Sequence, residues 1–105
     1  TYENIRIETL DVTDHGEIEA VAEKLRGTAI DVLINNAGVL GNPDQQQLGK
    51  LDFSAAEMLF ATNTFGPLKI SEAFLDHVAA SDTKKIITIS SIVGSMTNTP
   101  GNIYF

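Results

Sequence analysis

Two apolar runs of strand length end abruptly in small polar residues, and this pairing limits the folds open to the chain. Asp31-Val32-Leu33-Ile34 stops at Asn35-Asn36-Ala37-Gly38, and Lys85-Ile86-Ile87-Thr88-Ile89 stops at Ser90-Ser91. The second run is β-branched and apolar enough to be buried on both faces, as in a parallel sheet. In an open α/β sheet, ligands bind in the crevice outside the carboxyl ends of the strands. Two amides followed by Ala and Gly suit such a crevice, because they supply donors and acceptors and let a flat ligand approach the backbone.

The segments around these runs complete an alternating order. Ile5-Arg6-Ile7-Glu8-Thr9-Leu10 has period two and predicts a strand. Thr13-Asp14 offers a helix N-cap, with Glu17 three residues after Asp14 as in a capping box. Ile18, Val21, Ala22 and Leu25 then form one helical stripe, and Gly27 is a natural stop. Residues 39–52 have loop composition, and Gln45-Gln46-Gln47 reads as solvated loop. Ser54 with Glu57 forms a second capping box, opening a helical segment expected to run to about Ala80. The predicted order is β-α-β-α-β, with connections long enough for parallel crossovers.

Composition narrows the partners. Seven Lys and Arg against 14 Asp and Glu give a net charge of −7, which argues against nucleic acid and anionic membrane surfaces. No apolar run approaches the ~20 residues of a membrane span. The start Thr1-Tyr2-Glu3 has no signal-peptide character, and with no cysteine the expected location is cytoplasmic. His15 and His77 are far apart and read as surface residues, so no metal site is expected.

Asn63 is the sharpest local anomaly. It sits mid-helix, and Gly66-Pro67 follows within the same turn. Pro67 has no N–H, so in a regular α-helix the carbonyl of Asn63 loses its partner. Read without any family, this is a proline kink. Asp11 is likewise either a turn and capping residue or a carboxylate placed to meet a ligand at a strand's end.

Three motifs resemble those of the short-chain dehydrogenase/reductase family: Asp11-Val12-Thr13, Ile34-Asn35-Asn36-Ala37-Gly38, and Ile89-Ser90-Ser91-Ile92-Val93-Gly94. Gly66-Pro67, Ala73-Phe74-Leu75 and the terminal Gly-Asn-Ile-Tyr-Phe resemble its carbonyl-reductase-like and cell-signalling-factor-like members. The resemblance implies a Rossmann-type doubly wound parallel sheet, of which residues 1–105 would supply strands 3, 4 and 5 with two crossover helices. It implies hydride transfer between a nicotinamide cofactor, NADP or NAD with NADP favoured, and a small carbonyl or alcohol substrate. The parent protein would be a homo-oligomer.

Carried over residue by residue, the resemblance gives Ser91 the orientation of the substrate carbonyl. It gives Asn63 a main-chain carbonyl that holds a relay water. Asp11, Val12, Asn35, Asn36, Ala37 and Gly38 fall on cofactor-binding positions, and Val93, Ser95 and Met96 lie near the substrate. The family's tyrosine base falls either on Tyr104 or on the residue after Phe105. The chain contains no G-x-x-x-G-x-G spacing, so a partial domain is expected, inactive by itself. Its strand 3 would dock directly beside strand 4. A non-catalytic dinucleotide-binding sensor of the same fold is the alternative. A phosphoacceptor module would want an acidic cluster, and Asp11 alone is insufficient.

Overall fold

A computed structural model describes residues 3–95 and 97. The first helix, α1 (His15–Lys24), starts where the sequence placed it. Asp14 is the N-cap, its Oδ1 accepting the Glu17 N–H at 3.1 Å. Glu17 reaches past the cap, and its Oε2 accepts the Asp11 N–H at 2.7 Å. The pair thereby ties the end of the preceding segment to the helix. The helix is followed by a turn in which Gly27 adopts φ +81°, a conformation that favours glycine.

Strand β1 (Val32–Asn35) pairs in parallel with β2 (Lys85–Thr88), and Val32 is opposite Lys85 while Asn35 is opposite Thr88. The start of this ladder is anchored at Asp31, whose carboxylate accepts the Ser81 hydroxyl and whose carbonyl accepts the Lys85 N–H at 3.2 Å. Among the described residues these two strands form the whole sheet. Every residue of β2 is exposed, contrary to the burial on both faces that its composition predicts, and among the described residues no helix packs extensively on it.

Residues 5–10 are the second correction. They carry the strand period but belong to no ladder, and they do not dock beside β1. Ile7 is 87% exposed. Leu10 packs on the helical core, while Glu8 bonds Arg6 at 2.6 Å and Lys24 of α1 at 2.7 Å. These contacts hold the segment against α1, so its period-two pattern finds no neighbouring strand.

The long second helical segment is broken into pieces. Its N-cap is Asp52 rather than Ser54, the Asp52 Oδ1 accepting the Ala55 N–H at 3.0 Å. A carboxylate ahead of Phe53 satisfies the first turn, so the helix starts before Ser54 can cap it. Helix α2 (Phe53–Phe60) widens into a π turn (Ala61–Phe65), where the Gly66 N–H bonds the Ala61 carbonyl five residues back. Pro67 cannot continue α-helical bonding from Asn63, and the backbone meets this with the wider register. Helix α3 (Gly66–Ala73) follows, then a break at Phe74 and the short α4 (Leu75–Ala79).

The core lies between α1 and the α3–α4 segment. Ile18, Ala22 and Phe74 are buried, with Leu33 of β1 and Ile70 of α3 packed against them. Burying an isoleucine side chain contributes about 1.5–3 kcal/mol. His77 is half-buried rather than on the open surface, its Nε2 lying 2.9 Å from the Ala22 carbonyl oxygen.

Candidate functional site

A cleft of about 460 Å³ opens where β1 and β2 end side by side. The ladder fixes this geometry, since the Ile89 N–H bonds the Asn35 carbonyl at 3.0 Å and brings both polar ends to one level. Asn35, Asn36, Ala37 and Gly38 line the cleft from β1, Ser90 and Ser91 from β2, and Asn63 from the π turn. Three segments remote in sequence meet at the crevice that an open parallel sheet provides.

Asn35 is only 5% exposed and donates from Nδ2 to the Ser71 Oγ of α3 at 3.1 Å. Among the described residues its buried Oδ1 has no hydrogen-bond partner. Asn36, Ala37 and Gly38 are exposed at the cleft.

Asn63 clasps the loop behind them. Its Oδ1 accepts the Val39 N–H and its Nδ2 donates to the Val39 carbonyl, both at 2.8 Å. A Cβ on Gly38 would lie 3.4 Å from the same Oδ1, so the chain passes close to the amide here. The Ser91 Oγ accepts the Val93 N–H at 3.3 Å and caps a short 3-10 turn, Ile92–Gly94. A hydroxyl that accepts in this way keeps its own proton to donate.

Val12 lies near the cleft and Asp11 does not line it. Val12 lines a smaller cavity of about 180 Å³ together with Asn35, Asn36 and Ala37. It reaches that place because residue 66 is glycine. A Cβ there would stand 3.1 Å from the Val12 Cβ and 3.2 Å from its carbonyl oxygen. By residue type Gly66 reads as a poor helix former, and the need for close approach is set by the tertiary packing.

Asp11 is exposed, and its Oδ1 accepts the Thr13 N–H at 2.9 Å and the Thr13 hydroxyl at 2.7 Å. These bonds, the backbone one foremost, hold its carboxyl below the usual range. Of the positions near the substrate, Val93 lines the cleft and Ser95 does not. Met96 and Tyr104 lie outside the described residues.

Gln46 is a residue that sequence reading missed. The run Gln45-Gln46-Gln47 reads as solvated, yet Gln46 is 1% exposed. Its Nε2 donates to the Leu40 carbonyl at 2.8 Å and to the Asn42 carbonyl at 3.3 Å. Gly41 between them was the available signal, because a glycine closing a loop often marks a packed turn.

The sequence matches the short chain dehydrogenase family over residues 2–105. The chain belongs to that family. It is 33% identical to (+)-neomenthol dehydrogenase of Arabidopsis thaliana, over 85% of this chain and 36% of that protein. It is 36% identical to the C-signal protein of Myxococcus xanthus, over 71% of this chain and 45% of that one. Its backbone resembles the NADPH-bound carbonyl reductase from chicken fatty liver with a TM-score of 0.77, at 33% identity over 92% of this chain and 40% of that one. The chain thus spans less than half of these relatives. The Rossmann-type fold of the family accounts for the parallel β1–β2 pair and its flanking helices. Among the described residues of this short-chain dehydrogenase, no group of His, Asp or Glu is placed to hold a metal ion, and no helix is long and apolar enough to cross a membrane.

Proposed function

We propose that the protein of which this chain is a part transfers hydride between NADP or NAD and a small carbonyl or alcohol substrate. The observation that carries the reading is the meeting of Asn63, Ser91 and residues 35–38 at one cleft. The residues fit a dinucleotide. Ala37 and Gly38 leave the rim without bulk, and the buried Asn35 Oδ1 is an acceptor that no donor among the described residues meets. Val12 and Asp11 would hold the adenine side, and Asn35, Asn36, Ala37 and Gly38 the adenosine flank of the cleft.

When bound, the nicotinamide supplies or accepts the hydride. The Ser91 hydroxyl, while accepting from the Val93 N–H, donates a hydrogen bond to the substrate carbonyl oxygen, keeps its proton and fixes the carbonyl's orientation. Asn63, clasped to Val39, sets its main-chain carbonyl to hold a water in the path of proton exchange, a role for which a carbonyl's two lone pairs suffice.

The test uses the full-length protein with NADPH, because the chicken carbonyl reductase binds that form. Wild type should oxidise NADPH with an added carbonyl compound. Ser91→Ala should lower kcat by roughly 10²–10³, as for loss of one donor to a reacting oxygen, with NADPH affinity kept within twofold. NADPH binding without turnover of any carbonyl by wild type would instead favour a dinucleotide sensor. Full activity in Ser91→Ala would refute the role of that hydroxyl.

A further inference from the structure

The loop wall formed by Val39, Leu40 and Gly41 is held from behind at three consecutive residues. Asn63 clasps the Val39 N–H and carbonyl. Gln46 donates to the Leu40 carbonyl at 2.8 Å and to the Asn42 carbonyl at 3.3 Å. Gly41 adopts φ +72°, and a Cβ on it would stand 2.9 Å from Leu59 Cδ2 and 3.2 Å from the Gln46 Nε2. Leu59 is itself buried in α2, so the loop rests on a fixed surface.

Val39 and Leu40 are the parts of the wall given to the cleft, and Leu40 is the more exposed of the two at 58% against 50%. Val39, Ile89 and Val93 line the same cleft, so the hydroxyl of Ser91 shares it with an apolar surround. We propose that Leu40 is a specificity wall that selects carbonyl substrates with an apolar substituent, and that Gln46 is the positioning residue that holds it there. The inference rests on the oxidoreductase reading above.

Gln46 has almost no access to water, so its amide donors can be replaced only by another protein donor. Substituting Gln46→Met keeps the side chain's length and removes both donors, leaving the Leu40 and Asn42 carbonyls without them. Leu40→Ala leaves the clasp intact and shortens the wall. Removing apolar groups from a substrate-facing pocket costs about tenfold or more in discrimination.

The experiment uses the full-length protein with NADPH, and benzaldehyde and glyceraldehyde as apolar and polar probes. NADPH affinity, thermal midpoint and kcat/KM for each aldehyde are measured on the same samples. Wild type is expected to prefer benzaldehyde. Both Leu40→Ala and Gln46→Met are expected to lower the benzaldehyde-to-glyceraldehyde ratio of kcat/KM about tenfold. An unchanged ratio in Leu40→Ala, a wild-type preference for glyceraldehyde, or turnover of neither aldehyde by protein that binds NADPH overturns the wall. A Gln46→Met protein with a lower thermal midpoint and an unchanged ratio overturns the positioning role. Wild type that binds neither NADPH nor NADH overturns the oxidoreductase reading, and the wall with it.

Discussion

Asn63 uses both ends of its amide on one residue, Val39, and that limits what can stand in its place. Asn63→Asp keeps the acceptor for the Val39 N–H but sets a carboxylate oxygen against the Val39 carbonyl. We expect a loss of roughly 1–3 kcal/mol in urea denaturation, the range for a hydrogen bond broken with its partner left unpaired, and a fall in kcat. Pro67 announces a defect in the helix at the Asn63 main-chain carbonyl, but nothing in the sequence points to the side-chain amide. Nor could the amide's partner be read, because Val39 lies 24 residues away in sequence and only the tertiary fold brings it close.

Asp11 offers a pH test. Its carboxyl is held low in the folded chain by the Thr13 N–H and then the Thr13 hydroxyl. The resulting stabilisation is present above the unfolded carboxyl's pKa and is lost as pH falls through the lower folded value. Thr13→Val removes the hydroxyl and keeps the backbone donor. Carboxyl-carbon NMR should then show Asp11 titrating at higher pH than in wild type, and an unchanged midpoint would remove the hydroxyl from the account.

Secondary-structure elements differ in how far their own sequence determines them. The Asp14 cap of α1 and the β1–β2 pair follow from local signals, because a cap and an apolar parallel strand state their requirements within a few residues. Residues 5–10 show the opposite case, where a correct period without a neighbour yields no strand. The π turn is intermediate, since Pro67 forbids regular helix but does not dictate the wider register.

Two substitutions test these elements. Lys84 sits at φ 52°, in the left-handed region, where a side chain costs about 1–2 kcal/mol. Lys84→Gly should therefore raise the stability of the turn before β2 by about 0.5–1 kcal/mol, after the entropy that glycine gains in the unfolded chain. Gly66→Ala gains about 1 kcal/mol of helix propensity but drives a methyl toward Val12. We expect the packing cost to win, with lower stability and weaker NADPH binding, and a more stable variant with unchanged binding would contradict the close approach.

At the scale of the whole chain, the exposed surface is 7604 Å², against about 5700 Å² for a compact monomer of this mass. The sheet adds apolar surface to this, with Ile34 and Ile89 57% exposed beside Ile86 and Ile87 at about 40%. A two-stranded sheet is marginal in water by itself. The 105-residue chain produced alone should therefore bind a hydrophobic dye such as anilinonaphthalene sulfonate and melt without a sharp transition. A cooperative melt with no dye binding would show that the described fold is self-sufficient.

The central claim is that the cleft at the ends of β1 and β2 serves hydride transfer, and isotope transfer tests it most directly. Full-length protein is given NADPH deuterated at nicotinamide C4 on one face and then on the other, with a carbonyl substrate, and the alcohol is analysed by mass spectrometry. The account predicts deuterium on the carbinol carbon from one labelled face only, with the rate falling at least 10²-fold in Ser91→Ala. Cofactor binding without label in the product, or transfer unaffected by Ser91→Ala, would contradict it.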